Sequence, residues 1–393
     1  MVFPRKLYPA LLDHAKTELV TVLTGMRRTG KTTLLRQLIE DLPNKNSIYL
    51  DLQRPDNREI FQYKNYDSIR DAFVARGLSE DLPMVVFLDE IQLVPESAEV
   101  IKYLYDHYKI KFVVTGSSSY YLKNLFSESL AGRKKLFELF PLDFGEFLSF
   151  KGQPHSDFNW DLSSGFATLE YSRLLSYYDE FIRFGGFPQV VLAQSDDEKK
   201  DILLDIMSSY VNIDIRSLAD FSDERNLYSL AKLLASMVGS RVEYSNLSRV
   251  TGISRVTVAN YISFFEKTYL IRTVGVYTKN TEREIVKSRK LYFCDTGLAN
   301  VLSDLSSGAQ FENTLFNQLA RVGEVSYFAL KNGQEIDFIL NGQVALEAKE
   351  TPTTADDAQL KKMAEIAGLS KTKLVGKHSS PKFEDFIWGG SIV

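Results

Sequence analysis

Nine consecutive residues, Gly25-Met26-Arg27-Arg28-Thr29-Gly30-Lys31-Thr32-Thr33, set two glycines five positions apart and follow them with a lysine and two hydroxyls. Phosphate oxygens are best held by a cradle of backbone N–H groups, which side chains would keep at a distance. Gly25 and Gly30 supply bare backbone for that approach. Lys31 adds a cation for β- and γ-phosphates, and the Thr32 hydroxyl suits a Mg²⁺ ligand. Met26, Arg27, Arg28, Thr29 and Thr33 fill out the loop. The chemistry expected here is the binding of ATP with Mg²⁺.

Two further groups of residues could act beside such a loop. Met84 to Leu88 is an apolar run that ends in Asp89-Glu90. Asp89 suits a metal-linked carboxylate, and Glu90, one step beyond, can polarise an attacking water. Phe112-Val113-Val114-Thr115-Gly116-Ser117-Ser118-Ser119 ends a second apolar run in small hydroxyls. Ser117 or a neighbour can sense a γ-phosphate from there; a plain Ser-rich turn is the alternative. A separate constellation lies near the C-terminus: Glu312, Asp337 and Glu347-x-Lys349. Two or three carboxylates can gather Mg²⁺, and an adjacent lysine can position or deprotonate water.

These residues need elements to hold them. Leu19 to Leu23 reads as a buried strand before the glycine loop, and Thr33 to Asp41 as a helix whose N-terminus points at the phosphates. Ser47–Asp51 and Lys135–Leu139 are further strands, and Tyr66–Gly77 is helical. Strands alternating with helices indicate a parallel α/β sheet, with ligands at the carboxyl ends of its strands. Tyr171–Arg183 and Asp197–Arg216 read as helices, separated by Phe184-Gly185-Gly186-Phe187-Pro188. That break is either a hinge or a tight turn.

Asn246–Gly252 and Ser254–Phe265 follow as a short helix, a glycine turn and a second helix capped by Ser254. Val258, Ile262 and Phe265 should face the core, leaving Arg255, Thr257, Asn260 and Tyr261 outside. Tyr269–Val274 and a strand near Leu291 supply a wing. Arg225 to Lys290 holds twelve basic residues against four acidic ones, a surplus of eight in a chain whose net charge is -4. DNA is therefore the expected partner, through the region of Arg249 and Arg255; protein docking is the alternative. Beyond it, Asn332-Gly333 and Asn341-Gly342 are hairpin turns. They should bring Asp337 beside Glu347, with Glu312 arriving from a helix.

At 393 residues the chain exceeds one ordinary core. A single cysteine, Cys294, rules out an internal disulfide framework and suits a reducing compartment. No apolar run reaches the roughly 20 residues that span a bilayer. The expectation is a cytoplasmic protein with no membrane partner. His14, His107, His155 and His378 lack the spacing of zinc ligands.

Together, the glycine loop, Phe87-Leu88-Asp89-Glu90-Ile91-Gln92, Thr115 to Ser119, Leu130-Ala131-Gly132-Arg133 and Phe140 to Phe147 resemble the archaeal-type AAA+ P-loop ATPases. Phe184 to Pro188 also recurs in that family. Glu312, Asp337 and Glu347-x-Lys349 look like the core of a PD-(D/E)XK nuclease, and the same ATPases carry such a domain behind a winged helix. The resemblance implies an α/β architecture in four parts. A P-loop AAA+ parallel sheet spans 1–160, a helical lid 161–222, a winged helix-turn-helix 223–295 and a small α/β nuclease-like domain 296–393. It implies ATP hydrolysis with Asp89 as metal-linked acid, Glu90 as catalytic acid and Ser117 or a neighbour as sensor. Arg133 matches a position that contacts phosphate across a subunit interface in a homo-oligomer; a salt bridge is the alternative. The implied activity couples a nucleotide cycle to DNA binding and metal-dependent cleavage. The alternative is a nucleotide switch or protein remodeller whose C-terminal domains recruit partners.

Overall fold

The computed structural model describes residues 4–117, 130, 132–155, 165–215, 224–278 and 288–392. Ser118, Ser119, Ala131 and Arg216 lie outside them, as do Lys279, Arg283 and Lys287 of the twelve basic residues between Arg225 and Lys290. The described residues form two compact units, one running to Phe140 and including Lys267–Tyr269, the other holding Pro141 onward, with Leu270 to the C-terminal end.

In the first unit, α1 (Tyr8–Ala15) leads into β1 (Val20–Thr24), α2 (Lys31–Asp41) and β2 (Ser47–Asp51). Then come α3 (Tyr66–Ala75), β3 (Val85–Asp89), α4 (Ser97–Tyr108), β4 (Lys111–Gly116) and β5 (Lys134–Glu138). All five strands are parallel, in the order β2-β3-β4-β1-β5. The three inner strands are buried along their whole length, whereas β2 and β5 at the edges are mostly half-buried. This is why the inner strands read as continuous apolar runs: helices cover both faces of a parallel sheet. Val20, Val22, Val86, Leu88, Phe112 and Val114 pack on one face. Leu23, Val85, Phe87 and Val113 pack on the other with Leu34, Leu35 and Leu38 of α2. The register sets Thr24 beside Gly116, Leu88 beside Val114 and Asp51 beside Asp89. The carboxyl ends of four strands thus finish level.

The second unit opens with α5 (Phe144–Phe150), capped reciprocally by Asp143 and Glu146. Then come α6 (Thr168–Phe184), α7 (Pro188–Leu192) and α8 (Asp196–Ser209). A π-helical turn, Tyr210–Ile215, continues α8. The glycine break between α6 and α7 is a point of close approach. A Cβ on Gly185, whose φ is 74°, would lie 2.2 Å from a carboxylate oxygen of Asp295, and one on Gly186 would lie 2.2 Å from the Leu142 carbonyl. Leu142 N–H donates to the Gly186 carbonyl at 2.7 Å, and Gly186 N–H donates to Asp295 at 2.8 Å. The two glycines are therefore a packed junction.

Asp295 is buried, and that burial pushes its carboxyl up to about 6 against the pull of the N–H groups of Gly186, Leu298 and Gly297. The folded chain therefore holds this proton more tightly than the unfolded one. Its contribution to stability is greatest near pH 4 and is lost as pH rises to about 6, a change on the order of 2 kcal/mol. Asp295→Asn should remove that slope. Denaturant midpoints at pH 4.5 and 6.5 read it; equal pH dependence in the two proteins would discount the buried carboxyl.

Helices α9 (Glu224–Ala235), α10 (Tyr244–Thr251) and α11 (Arg255–Lys267) lead to an antiparallel pair, β6 (Ile271–Val274) and β7 (Lys290–Phe293). Ser254 caps α11 through the Thr257 N–H at 3.1 Å. Val258, Ile262 and Phe265 are buried, as expected, but so is Tyr261 at 4% exposure. Tyr261 neighbours Ile262 on a helix with a wide apolar face, so it cannot belong to the outer surface. Arg255 and Asn260 are exposed and Thr257 is half-buried.

After α12 (Thr296–Leu302) and α13 (Ser307–Val322) comes a mixed sheet of β8 (Val325–Ala329), β9 (Glu335–Leu340) and β10 (Val344–Lys349). It continues through α14 (Thr354–Ala367), β11 (Lys371–Gly376) and β12 (Phe386–Trp388). The strand order is β12-β11-β10-β9-β8. Asn341 and Gly342 both have positive φ, 52° and 64°, as a tight hairpin turn requires. That turn pairs Val344 with Leu340 and Leu346 with Phe338.

Candidate functional site

The glycine loop sits between β1 and α2, so it is built on a fully buried strand. A Cβ on Gly25 would lie 2.1 Å from the Leu139 carbonyl, so only glycine fits at the loop's entry. Gly30 has φ 101° and caps α2 without a side-chain bond, leaving the helix N–H groups directed outward. Met26 and Thr29 are buried, Arg27 and Arg28 half-buried, and Thr33 exposed. Thr29 Oγ1 donates to the Met26 carbonyl at 2.9 Å. Lys31 is 5% exposed, and its Nζ donates to the carbonyls of Gly25 at 2.9 Å and Met26 at 3.0 Å. Arg5 was not legible in the sequence. Its guanidinium donates to Thr29 O at 2.8 Å and to Phe140 O at 2.7 Å, bracing the loop from behind.

Asp89 is the centre of the polar network at the sheet's carboxyl edge. Thr32 Oγ1 donates to its Oδ2 at 2.8 Å and Tyr49 OH to the same oxygen at 3.0 Å, while Thr115 Oγ1 donates to Oδ1. Burial, then the charge of Asp89, pushes the Tyr49 phenol well up, so it stays protonated as a donor. Thr32 and Asp89 offer a hydroxyl and a carboxylate side by side, a hard-oxygen pair that fits a hydrated Mg²⁺. Glu90 follows in a left-handed conformation, φ 60° and ψ 48°, uncommon for a residue with a Cβ. Its N–H donates to Thr115 Oγ1 at 3.2 Å. Its carboxylate accepts from Gln92 Nε2, which also donates to Ser117 Oγ at 3.1 Å. The Phe87–Gln92 motif contains Gln92 but assigns it no role of its own.

Arg133 lies elsewhere. Its carbonyl accepts from Val20 N–H at 2.8 Å, at the amino end of β1, and its Nε pairs with Asp106 at 2.9 Å. The glycine loop leaves the opposite end of that strand, about 13 Å away for five residues. Arg133 does not line the phosphate cradle of its own chain.

In the second unit Glu312 and Asp337, joined by Glu335, surround an ammonium that no motif pointed to, while Glu347 sits to one side with Lys349. Lys290 Nζ lies 2.9 Å from Glu335, 3.5 Å from Glu312 and 3.6 Å from Asp337. Glu347 Oε2 accepts from Asp337 N–H at 3.2 Å, and Asp337 Oδ2 accepts from Ala348 N–H at 3.1 Å. Lys349 Nζ pairs with Glu347 at 3.1 Å. Burial, then the charge of Asp337, pushes both Glu312 and Glu347 above the ordinary carboxyl range; Lys290 and Lys349 respectively pull them back. Among the described residues, no three His, Cys, Asp or Glu side chains are arranged to hold a metal ion.

Residues 17–148 match the family description "AAA domain", and residues 175–309 match a domain of unknown function. With its glycine loop, acid pair and parallel sheet, the first unit is an AAA-type P-loop nucleotide-binding domain. The chain is 29% identical over 372 residues to an uncharacterized protein of Haemophilus influenzae, covering 88% of this chain and 87% of that one. It is 28% identical over 349 residues to an uncharacterized protein of Methanocaldococcus jannaschii, covering 84% and 76%. A structure of the Aeropyrum pernix Orc1 protein in complex with DNA aligns over 77% of this chain and 92% of that one, at 15% identity and a TM-score of 0.32. A score that low defines no shared architecture. Among the described residues no helix is long and apolar enough to cross a membrane.

Proposed function

We propose that the chain hydrolyses ATP with Mg²⁺ and couples that cycle to DNA held by its winged segment. The direct Thr32–Asp89 hydrogen bond beside the glycine loop carries this reading, because it sets the two side chains a Mg²⁺-nucleotide needs within one bond of each other. When bound, Mg²⁺ neutralises charge between the phosphates. Gly25, Gly30 and the N–H groups of α2 cradle phosphate, with Met26 to Thr29 and Thr33 shaping the loop. Lys31 redirects its ammonium from loop carbonyls to phosphate. Thr32 and Asp89 hold the ion's hydration shell, and Glu90 polarises the attacking water, with Gln92 linking it to Ser117 as sensor. Arg133 can reach a phosphate only from a neighbouring copy, so its role in this reading requires a homo-oligomer.

The DNA part rests on Arg249 and Arg255, exposed in α10 and α11 on either side of the helix-turn-helix bend. Such a second helix can enter a major groove while cations meet phosphates. Lys290 and Arg241 do not join that surface: they pair with carboxylates. A second reading, in which the C-terminal domain recruits partners and does not cut, is favoured by the ammonium among its acids.

Duplex DNA should stimulate ATP turnover, and turnover should vanish in Lys31→Ala. Binding should weaken steeply with salt, and replacing both Arg249 and Arg255 by alanine should lower the log–log salt slope by about 2, roughly one unit per lost phosphate contact. Binding that ignores both salt and these substitutions would exclude the DNA reading.

A further inference from the structure

The β7 strand carries Lys290 and Tyr292 on one face, two residues apart. Lys290 is 1% exposed, deeper than any acid it meets. Its ammonium lies within 3.6 Å of Glu312, Glu335 and Asp337. Tyr292 OH donates to Glu312 at 2.7 Å. Arg241, joined to Lys290 by an antiparallel backbone bridge, pairs with Glu335 at 3.1 Å. Lys349 holds the fourth acid, Glu347. Every carboxylate of the group already has a cation. A divalent ion needs its oxygens at about 2.1 Å and keeps several waters. An ion that close to Glu312 and Asp337 would share a few ångströms of buried space with the ammonium, and the two cations would repel.

We infer that Lys290 is the resident cation of this cluster: its ammonium takes the place a divalent ion would fill and holds the carboxylates apart from a metal-binding arrangement, so the C-terminal domain keeps its acids assembled without metal, and removing that single amine lets them close around a divalent cation. The donors left would be carboxylate oxygens on a helix and two strands, a hard-oxygen set that suits Mg²⁺ or Mn²⁺. The inference is independent of the nucleotide and DNA readings.

Mn²⁺ tests it, because the ion loses its free-solution electron paramagnetic resonance signal on binding. The full chain would be titrated without nucleotide as wild type, Lys290→Met, Asp337→Asn and the double variant. Wild type and Asp337→Asn should bind Mn²⁺ alike. Lys290→Met should gain one site at least tenfold tighter than any in wild type, and the double variant should lose it. A wild-type site that disappears in Asp337→Asn would overturn the inference, as would a folded Lys290→Met with no added site. Should Lys290→Met fail to fold, the comparison of wild type with Asp337→Asn still decides whether the native cluster takes metal.

Discussion

Glu90→Gln should lower ATP turnover by about 10²-fold or more while leaving nucleotide affinity nearly unchanged. The size of the effect follows from how the side chain is held. Glu90 lies in the left-handed region, an arrangement that costs on the order of 1–3 kcal/mol and persists only where the surroundings impose it. Here the surroundings are specific: Thr115 takes the Glu90 N–H, and Gln92 binds its carboxylate. Glutamine has the same length and can still accept from Gln92, so shape and backbone are preserved. What it lacks is the negative charge that orients and polarises water. Single-turnover hydrolysis should slow, while binding of a fluorescent nucleotide stays within about threefold of wild type. A variant that hydrolyses ATP at the wild-type rate would remove Glu90 from the chemistry. One that loses binding instead would make it a structural brace of the edge around Asp89.

The second large effect lies far from any nucleotide. Gly186→Ala should destabilise the second unit by about 3 kcal/mol or more. The added methyl would meet the Leu142 carbonyl at 2.2 Å and its nitrogen at 2.9 Å. Neither can step aside cheaply, because Leu142 N–H and the Gly186 carbonyl are joined by a 2.7 Å hydrogen bond. Gly185→Ala should act similarly, by pushing into the Asp295 carboxylate and forcing an L-residue to φ 74°. In a thermal melt the loss corresponds to roughly 6–12 °C for a unit of this size. A Gly186→Ala protein that melts within about 2 °C of wild type would show that the junction yields, as a hinge does.

That junction shows where sequence reasoning stops. Two glycines before a proline carry the same local signature whether they bend or are clamped. The difference lies in Leu142 and Asp295, which approach from 44 residues before and 109 residues after Gly186. The parallel sheet was legible because burial on both faces leaves an unbroken apolar record in β1, β3 and β4. The convergence of Asp337 with Glu347 was legible too, because the Asn341-Gly342 turn fixes the register and a one-residue slip would send each side chain to the opposite face. Lys290 was not, since it appeared only as one more charge in a basic stretch. An ion pair between distant elements has no period, and the same holds for Arg5 behind the glycine loop. Arg133 matched a motif, but only the strand register shows which end of β1 it occupies.

The first unit is interrupted in the chain: its main body ends at Phe140, yet Lys267–Tyr269 belong to it. Tyr269 packs edge-on against Phe140 at 5.7 Å, and its hydroxyl donates to Glu138 at 2.9 Å. During synthesis, those last pieces emerge well over a hundred residues after the strands they complete. At about 5–20 residues per second the delay is on the order of ten seconds. For that interval Phe140 and Glu138 lack the Tyr269 contacts while the helices of the second unit are being made. Those two contacts are therefore late ones on the ribosome, timed by the length of the segment between them.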